Sequence, residues 1–107
     1  MSDTERTLAH DKLVETLGQM LGGTVSFIEG SRIVSSRAKA AGYDTLSEPW
    51  VAFVAIDSET DAVPVGKVRD LWQPEAVAKQ ADEWAKAEAW AKQYGEAACL
   101  EVLKLLG

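Results

Sequence analysis

The sequence predicts a mainly α, single-domain protein spanning residues 1–107: an antiparallel helical hairpin plus a long C-terminal helix around a short extended or β segment. Three observations carry this expectation. Apolar residues recur at three- and four-residue spacing over both ends of the chain. Gly22, Gly23, Gly42 and Pro74 stand where such stretches should stop or start. Between them, residues 50–56 read Trp-Val-Ala-Phe-Val-Ala-Ile, apolar throughout.

The first helix is expected to open at Ser2, which with Glu5 has the S-x-x-E spacing of a capping box, and to run to Leu21 before the glycine pair stops it. Ala9, Leu13, Leu17 and Met20 form its apolar face, flanked by Val14 and Leu21. Ser26 and Glu29 repeat the capping spacing, and Phe27, Gly30, Ser31, Val34, Ala38 and Ala41 share one face of a second helix that Gly42 ends. Ile28 and Ile33 flank that face, so this helix should touch partners on more than one side. A link of two or three residues favours an antiparallel pair.

From Tyr43 to Gly66 the texture changes. Pro49 disfavours helix in the residue before it, and the apolar, partly β-branched run from Trp50 to Ile56 fits a buried strand or extended segment. Its best pairing candidate is Val63-Pro64-Val65, where the proline restricts pairing to an edge. The alternative is an extended run laid across the helices. Val68, Leu71 and Trp72 then lead into the last element as a helical turn or irregular link.

Pro74 suits the first position of the terminal helix, where its missing N–H is not needed, and Glu75 favours the positive helix end. Over residues 74–106, Val77, Ala81, Trp84, Ala87, Ala91, Gly95, Ala98, Val102 and Leu105 fall on one side. Its many alanines admit a close neighbour, and Trp84 supplies a large contact of about 150 to 250 Å². Gly95 either bends the helix or lets a partner approach. Glu75/Lys79, Asp82/Lys86 and Glu88/Lys92 are acid-before-base pairs at i,i+4 on the wet side, each contributing roughly 0.2 to 0.5 kcal/mol.

Composition bounds the function. An apolar content of 47% excludes a wholly disordered chain, and no apolar run approaches the ~20 residues that span a bilayer. The first five residues have neither the basic patch nor the apolar run of a signal peptide, and the lone Cys99 permits no internal disulfide; both point to the cytoplasm. A net charge of −6 argues against nucleic acid as a partner. That charge is unevenly placed. Between Gly42 and Gly66 stand five acids, Asp44, Glu48, Asp57, Glu59 and Asp61, without a Lys or Arg, while the rest of the chain holds 11 bases against 12 acids.

Asp57-Ser58-Glu59-Thr60-Asp61 alternates acids as a calcium loop does at its opening. Counted from Asp57, however, the positions needing glycine and a bidentate glutamate hold Ala62 and Val68. A self-capped turn is favoured. No nucleophile elbow, phosphate-binding glycine loop or histidine pair is present, His10 is the only histidine, and Cys99 lies on an apolar side. The expectation is therefore a non-enzymatic protein with no cofactor and no metal. Arg32 and Arg69 are the bases placed to fold back onto the acidic turn. Trp90, about 120° from Trp84 on the wheel, is expected to meet the N-terminal helices or a second copy of the chain.

The stretch Phe-Ile-Glu-Gly-Ser-Arg at residues 27–32, followed by Ala-Ile-Asp-Ser-Glu-Thr-Asp-Ala-Val-Pro-Val-Gly-Lys-Val-Arg at 55–69, resembles a group of small bacterial cytoplasmic proteins of unknown function. The likeness covers residues 22–72. It implies that the acidic turn and the two arginines belong to one pattern, and it brings no catalytic residues to transfer. The alanine- and tryptophan-rich terminal helix departs from it. Together these features predict an acidic protein-interaction module of inhibitor or immunity type for a basic protein partner. The candidate surface is Asp57, Glu59, Asp61, Arg32, Arg69 and Trp90, and the alternative is a small metal- or ligand-binding protein using the Asp57/Glu59/Asp61 turn.

Overall fold

A computed structural model describes residues 3–65 and 71–106 of the chain, and among the described residues helices account for 77%, with no strand. In chain order these are α1 (Asp3–Gly22), α2 (Phe27–Ala40), α3 (Val51–Glu59) and α4 (Pro74–Leu106). None of them is long and apolar enough to cross a membrane.

The expected hairpin forms. Gly30 of α2 lies against the Met20 side chain near the turn, and Arg6, Thr7 and His10 line a depression with Ala41, Gly42 and Tyr43 at the other end, so α1 and α2 run antiparallel. Gly23 closes α1 at a positive φ of 85°, a conformation that glycine adopts without the penalty a Cβ brings. The helix is one residue longer than expected, and the link spans residues 23–26. Ser26 then caps α2, its hydroxyl accepting from the Glu29 N–H at 3.0 Å, as the capping spacing predicts. The corresponding proposal for Ser2 lies outside the described residues. Ala9, Leu13, Leu17 and Met20 are buried, and Val14 and Leu21 lie on the wet flank. On α2, Phe27, Ile28, Gly30, Ser31, Val34 and Ala38 are buried.

The extended or β segment is not found. Residues 51–59 are helical, and Val63-Pro64-Val65 pairs with no strand among the described residues. A short run that is apolar on every side looks the same whether it is a buried strand or a buried helix, because no period is left to separate the two. Local hydrogen bonding decides it. A turn at residues 44–47, in which Asp44 Oδ1 accepts from the Leu46 N–H and Ser47 donates to the Asp44 carbonyl, delivers the chain to Pro49 and Trp50. The first free N–H groups of α3 then find acceptors in order: Val51 on Ser47, Ala52 on Pro49 and Phe53 on Trp50. Ala52, Phe53 and Ile56 are buried, and Trp50 stacks on Tyr43 with ring centroids 4.6 Å apart. The segment packs on α2 and α4 rather than being enclosed by all three other helices, with Val51, Val54 and Ala55 half-buried, so both its backbone form and its surroundings differ from the expectation.

Helix α4 runs unbroken through Gly95. A Cβ at that position would stand 2.8 Å from Ile56 Cδ1 and 3.4 Å from Phe27 Cδ1, so the glycine serves close packing against α3 and α2 rather than a bend. Trp84, Ala91, Ala98 and Val102 are buried as the wheel predicts. Cys99 is fully buried, as its apolar side predicts, whereas Ala81 and Leu105 are exposed instead. Two causes account for this. Helix α4 packs on α1 through Cys99 as well as on α3 through Gly95, which rotates the buried side near its end toward Cys99, Leu103 and Leu106. A 33-residue helix is also roughly 50 Å long, comparable to the molecule's longest dimension of 46 Å, so its first turns outrun the body. There Trp84 is met edge-on by Trp72, at 5.2 Å. Leu71, in the link before α4, is exposed, and Val68 lies outside the described residues. The three expected i,i+4 pairs do not close among the described residues: Lys86 meets Glu83 at 3.6 Å, and Glu88 turns away from Lys92 to α2.

Candidate interaction surface at the end of α3

The acidic residues do not form a free turn. Asp57 and Glu59 belong to the last turn of α3, Thr60 caps it, and Asp61 follows. Thr60 is buried, with its N–H donating to the Ile56 carbonyl at 3.0 Å and its hydroxyl donating to the same oxygen at 2.6 Å. Two carbonyls just past this end, those of Thr60 and Val63, are served from the neighbouring helix. Arg32 on α2 donates through Nη2 to the Thr60 carbonyl and to the Val63 carbonyl (2.9 Å), while its Nε lies 3.5 Å from Asp57 Oδ1. One planar guanidinium thus caps the helix, fixes the turn after it and pairs with the first acid. Arg32 meets the acidic segment as expected; Arg69 lies outside the described residues.

Helical geometry separates the acids. Residues two apart on a helix point about 200° away from each other, so Asp57 faces Arg32 while Glu59 faces α4. Asp61 lines a depression with Arg32, Pro64, Val65 and Trp72. Alternation that would converge ligands in an extended loop therefore disperses them here. Among the described residues no three His, Cys, Asp or Glu side chains are placed to hold a metal ion.

Electrostatically the position is unfavourable for acids. The C-terminal end of a helix carries partial negative charge, and an acid there is opposed by about 0.3 to 1 kcal/mol. Arg32 offsets this for Asp57. Glu59 and Asp61 are exposed, and no described cation lies within ion-pair distance of either.

On the α4 side, Trp90 stacks on Tyr94 with centroids 5.3 Å apart and planes 22° apart, leaving the two rings 38% and 49% exposed. Trp90, Ala87, Glu83 and Lys86 line one wall of a shallow furrow of about 300 Å³ whose other wall is Glu59 and Thr60. The structure therefore brings Glu59 and Trp90 together. Tyr94 is absent from the surface expected from the sequence, although it stands four residues from Trp90, the spacing at which helical side chains meet.

Other polar residues serve the fold. His10 Nε2 lies 3.3 Å from the Leu106 carbonyl, half-buried between α1 and the end of α4. Cys99 donates its S–H to the Leu17 carbonyl at 3.5 Å; burial, and secondly the charge of Glu96, push its thiol up to about 11, so it is a poor nucleophile near neutrality. Glu88 accepts from the Phe27 N–H at 2.7 Å and the Ile28 N–H at 3.1 Å, closing the positive end of α2. Comparison of the chain with known protein families, with curated proteins and with solved structures finds no match.

Proposed function

We propose that this protein is a non-enzymatic, cytoplasmic interaction module of the inhibitor or immunity type, which offers the electronegative end of α3 to a basic protein partner. One observation carries the reading: two exposed carboxylates, Glu59 and Asp61, stand at the negative end of a helix, where the fold's own electrostatics oppose them, and Glu59 lies beside a half-exposed aromatic pair. Exposed acids so placed contribute little to stability and much to long-range attraction of a cationic surface. The resemblance over residues 22–72 supplies no activity of its own and is compatible with such a role.

The test compares affinity capture by the wild-type protein and by a Glu59→Gln/Asp61→Asn variant, followed by stopped-flow association with whichever partner only the wild type retains. The variant should keep its melting temperature or gain slightly. It should associate more slowly, with a flatter dependence on salt, because the Debye length shrinks from about 10 Å at 0.1 M to about 3 Å at 1 M. A variant that melts several degrees lower yet associates normally would assign these acids to the fold and sink the reading. Calorimetric titration with Ca²⁺, Mg²⁺ and Mn²⁺ checks the metal-binding alternative; a stoichiometric heat lost in the same variant would favour it.

A further inference from the structure

We propose that the furrow between the end of α3 and α4 seats a cationic side chain of the partner, an arginine in preference to a lysine, stacked on the indole of Trp90. The inference rests on the reading of the α3 end as a surface for a basic partner and adds where, and by which chemistry, the contact is made.

The furrow has a flat apolar wall and a charged rim. Trp90 is held in a stack with Tyr94, which presets the plane of the indole before anything binds. Glu59 and Glu83 bring carboxylates to the same furrow from α3 and α4. A planar guanidinium suits this combination, because it stacks on an aromatic face while its edge N–H groups reach carboxylates; an ammonium offers the charge without the plane. Lys86 also lines the furrow and partly neutralises Glu83, but its side chain is 75% exposed on a flexible stem and can release Glu83 into water at little cost. A second copy of this chain is a poor occupant, since it would bring its own net charge of −6 against the same acids. A neutral apolar side chain would leave the rim carboxylates facing uncompensated surface.

The experiment follows the indole N–H resonance of Trp90 in ¹⁵N-labelled full-length protein, assigned by its absence from a Trp90→Phe variant. The probes are tetra-arginine, tetra-lysine and tetra-citrulline amides. The Trp90 resonance should move with tetra-arginine at roughly two- to fivefold lower concentration than with tetra-lysine, and stay still with isosteric but neutral tetra-citrulline. Glu59→Gln/Glu83→Gln should weaken the arginine response severalfold. Trp90→Leu, followed through the backbone amides of residues 59 and 83, should abolish the preference for arginine over lysine, and Trp90→Phe should retain part of it. An unmoved Trp90 resonance, or equal response to arginine and lysine in the wild type, overturns the furrow as the seat. If the amides at residues 59–63 still shift with the cationic peptides in that case, the broader reading of the α3 end survives; it falls separately, if capture of a partner proves independent of Glu59 and Asp61.

Discussion

Removing Glu88 tests the assignment of that residue most sharply, because two explanations of one side chain predict different energies. As half of an i,i+4 pair with Lys92 it would contribute roughly 0.2 to 0.5 kcal/mol. In the structure its two oxygens instead accept from the N–H groups of Phe27 and Ile28, residues that are themselves 2% exposed, while Ser26 serves Glu29. A hydrogen bond to a charged acceptor is worth about 1.5 to 3 kcal/mol net, and a buried donor left bare costs about 1 to 3 kcal/mol. The adjoining cleft, lined by Met20, Gly23, Val25 and Lys92, is open enough to admit water and recover part of that loss. Glu88→Ala should therefore destabilise by about 2 kcal/mol, and Glu88→Gln, which keeps one carbonyl oxygen, by about 1 kcal/mol. For a domain near this size, each kcal/mol moves the melting temperature by about 4 to 8 °C. Lys92→Ala should change stability by less than about 0.5 kcal/mol. Urea titrations of the four proteins, followed by circular dichroism at the helical band, measure all of this. Refutation would be Glu88→Ala lying within about 0.5 kcal/mol of wild type, or Lys92→Ala costing as much as Glu88→Ala.

Three further outcomes are expected. Gly18 lies mid-helix with nothing within 4 Å of a built Cβ, so Gly18→Ala should stabilise by roughly 0.5 to 1 kcal/mol; Gly95→Ala should destabilise, because the new methyl crowds Ile56 and Phe27 and overpacking of about 1 to 3 kcal/mol exceeds the helix-propensity gain, with thermal melts giving opposite signs for the two. Arg32→Ala should cost about 1.5 to 3 kcal/mol and speed amide exchange in residues 60–65, and Arg32→Lys should restore only part, since an ammonium cannot reproduce the fork that reaches Thr60, Val63 and Asp57. Cys99 should react with a thiol reagent at pH 7 to 8 only as fast as the protein opens; because its thiol is raised from 9.0 to about 11, this group's contribution to stability is fully present below pH 9 and is lost as the pH rises toward 11, which urea titrations at pH 8 and pH 10 in wild type and Cys99→Ala would show as a fall specific to the wild type.

Much of the fold is legible wherever an element has one wet side. Helices α1 and α2 show this: their buried residues repeat every three or four positions, and the signals at Ser26 and Gly23 mark ends that the backbone uses. Legibility fails where wetness gives no contrast. The run from Trp50 to Ile56 has no polar side to set a period, and the turn that commits it to helix acts through the carbonyls of Ser47, Pro49 and Trp50, groups every residue type possesses. It fails again at the ends of α4, where the wheel places Ala81 and Leu105 on the buried side and the structure exposes both; near Leu105, contact with α1 and α3 together, not one facing helix, selects the buried side. Glu88 illustrates a third limit: four residues from Lys92 its nearest charge is obvious, whereas the helix end it serves is 61 residues away in sequence.

The helical form of α3 also changes what the acidic stretch can do. As a strand, Asp57, Glu59 and Asp61 would share one face and act as a single cluster, suited to a metal ion or to one large cationic patch. On and after the last turn of a helix they enter three surroundings: Asp57 is drawn to Arg32, Glu59 to the furrow under Trp90, and Asp61 to the depression beside Trp72. Their roles separate accordingly. The pair with Arg32 anchors the chain reversal through Thr60 and Val63, which leaves the other two carboxylates presented on a fixed scaffold rather than on a loose turn. A carboxylate held in place loses less conformational entropy when a partner arrives, so under the proposed function Asp57 would assist recognition by ordering the surface that Glu59 and Asp61 present.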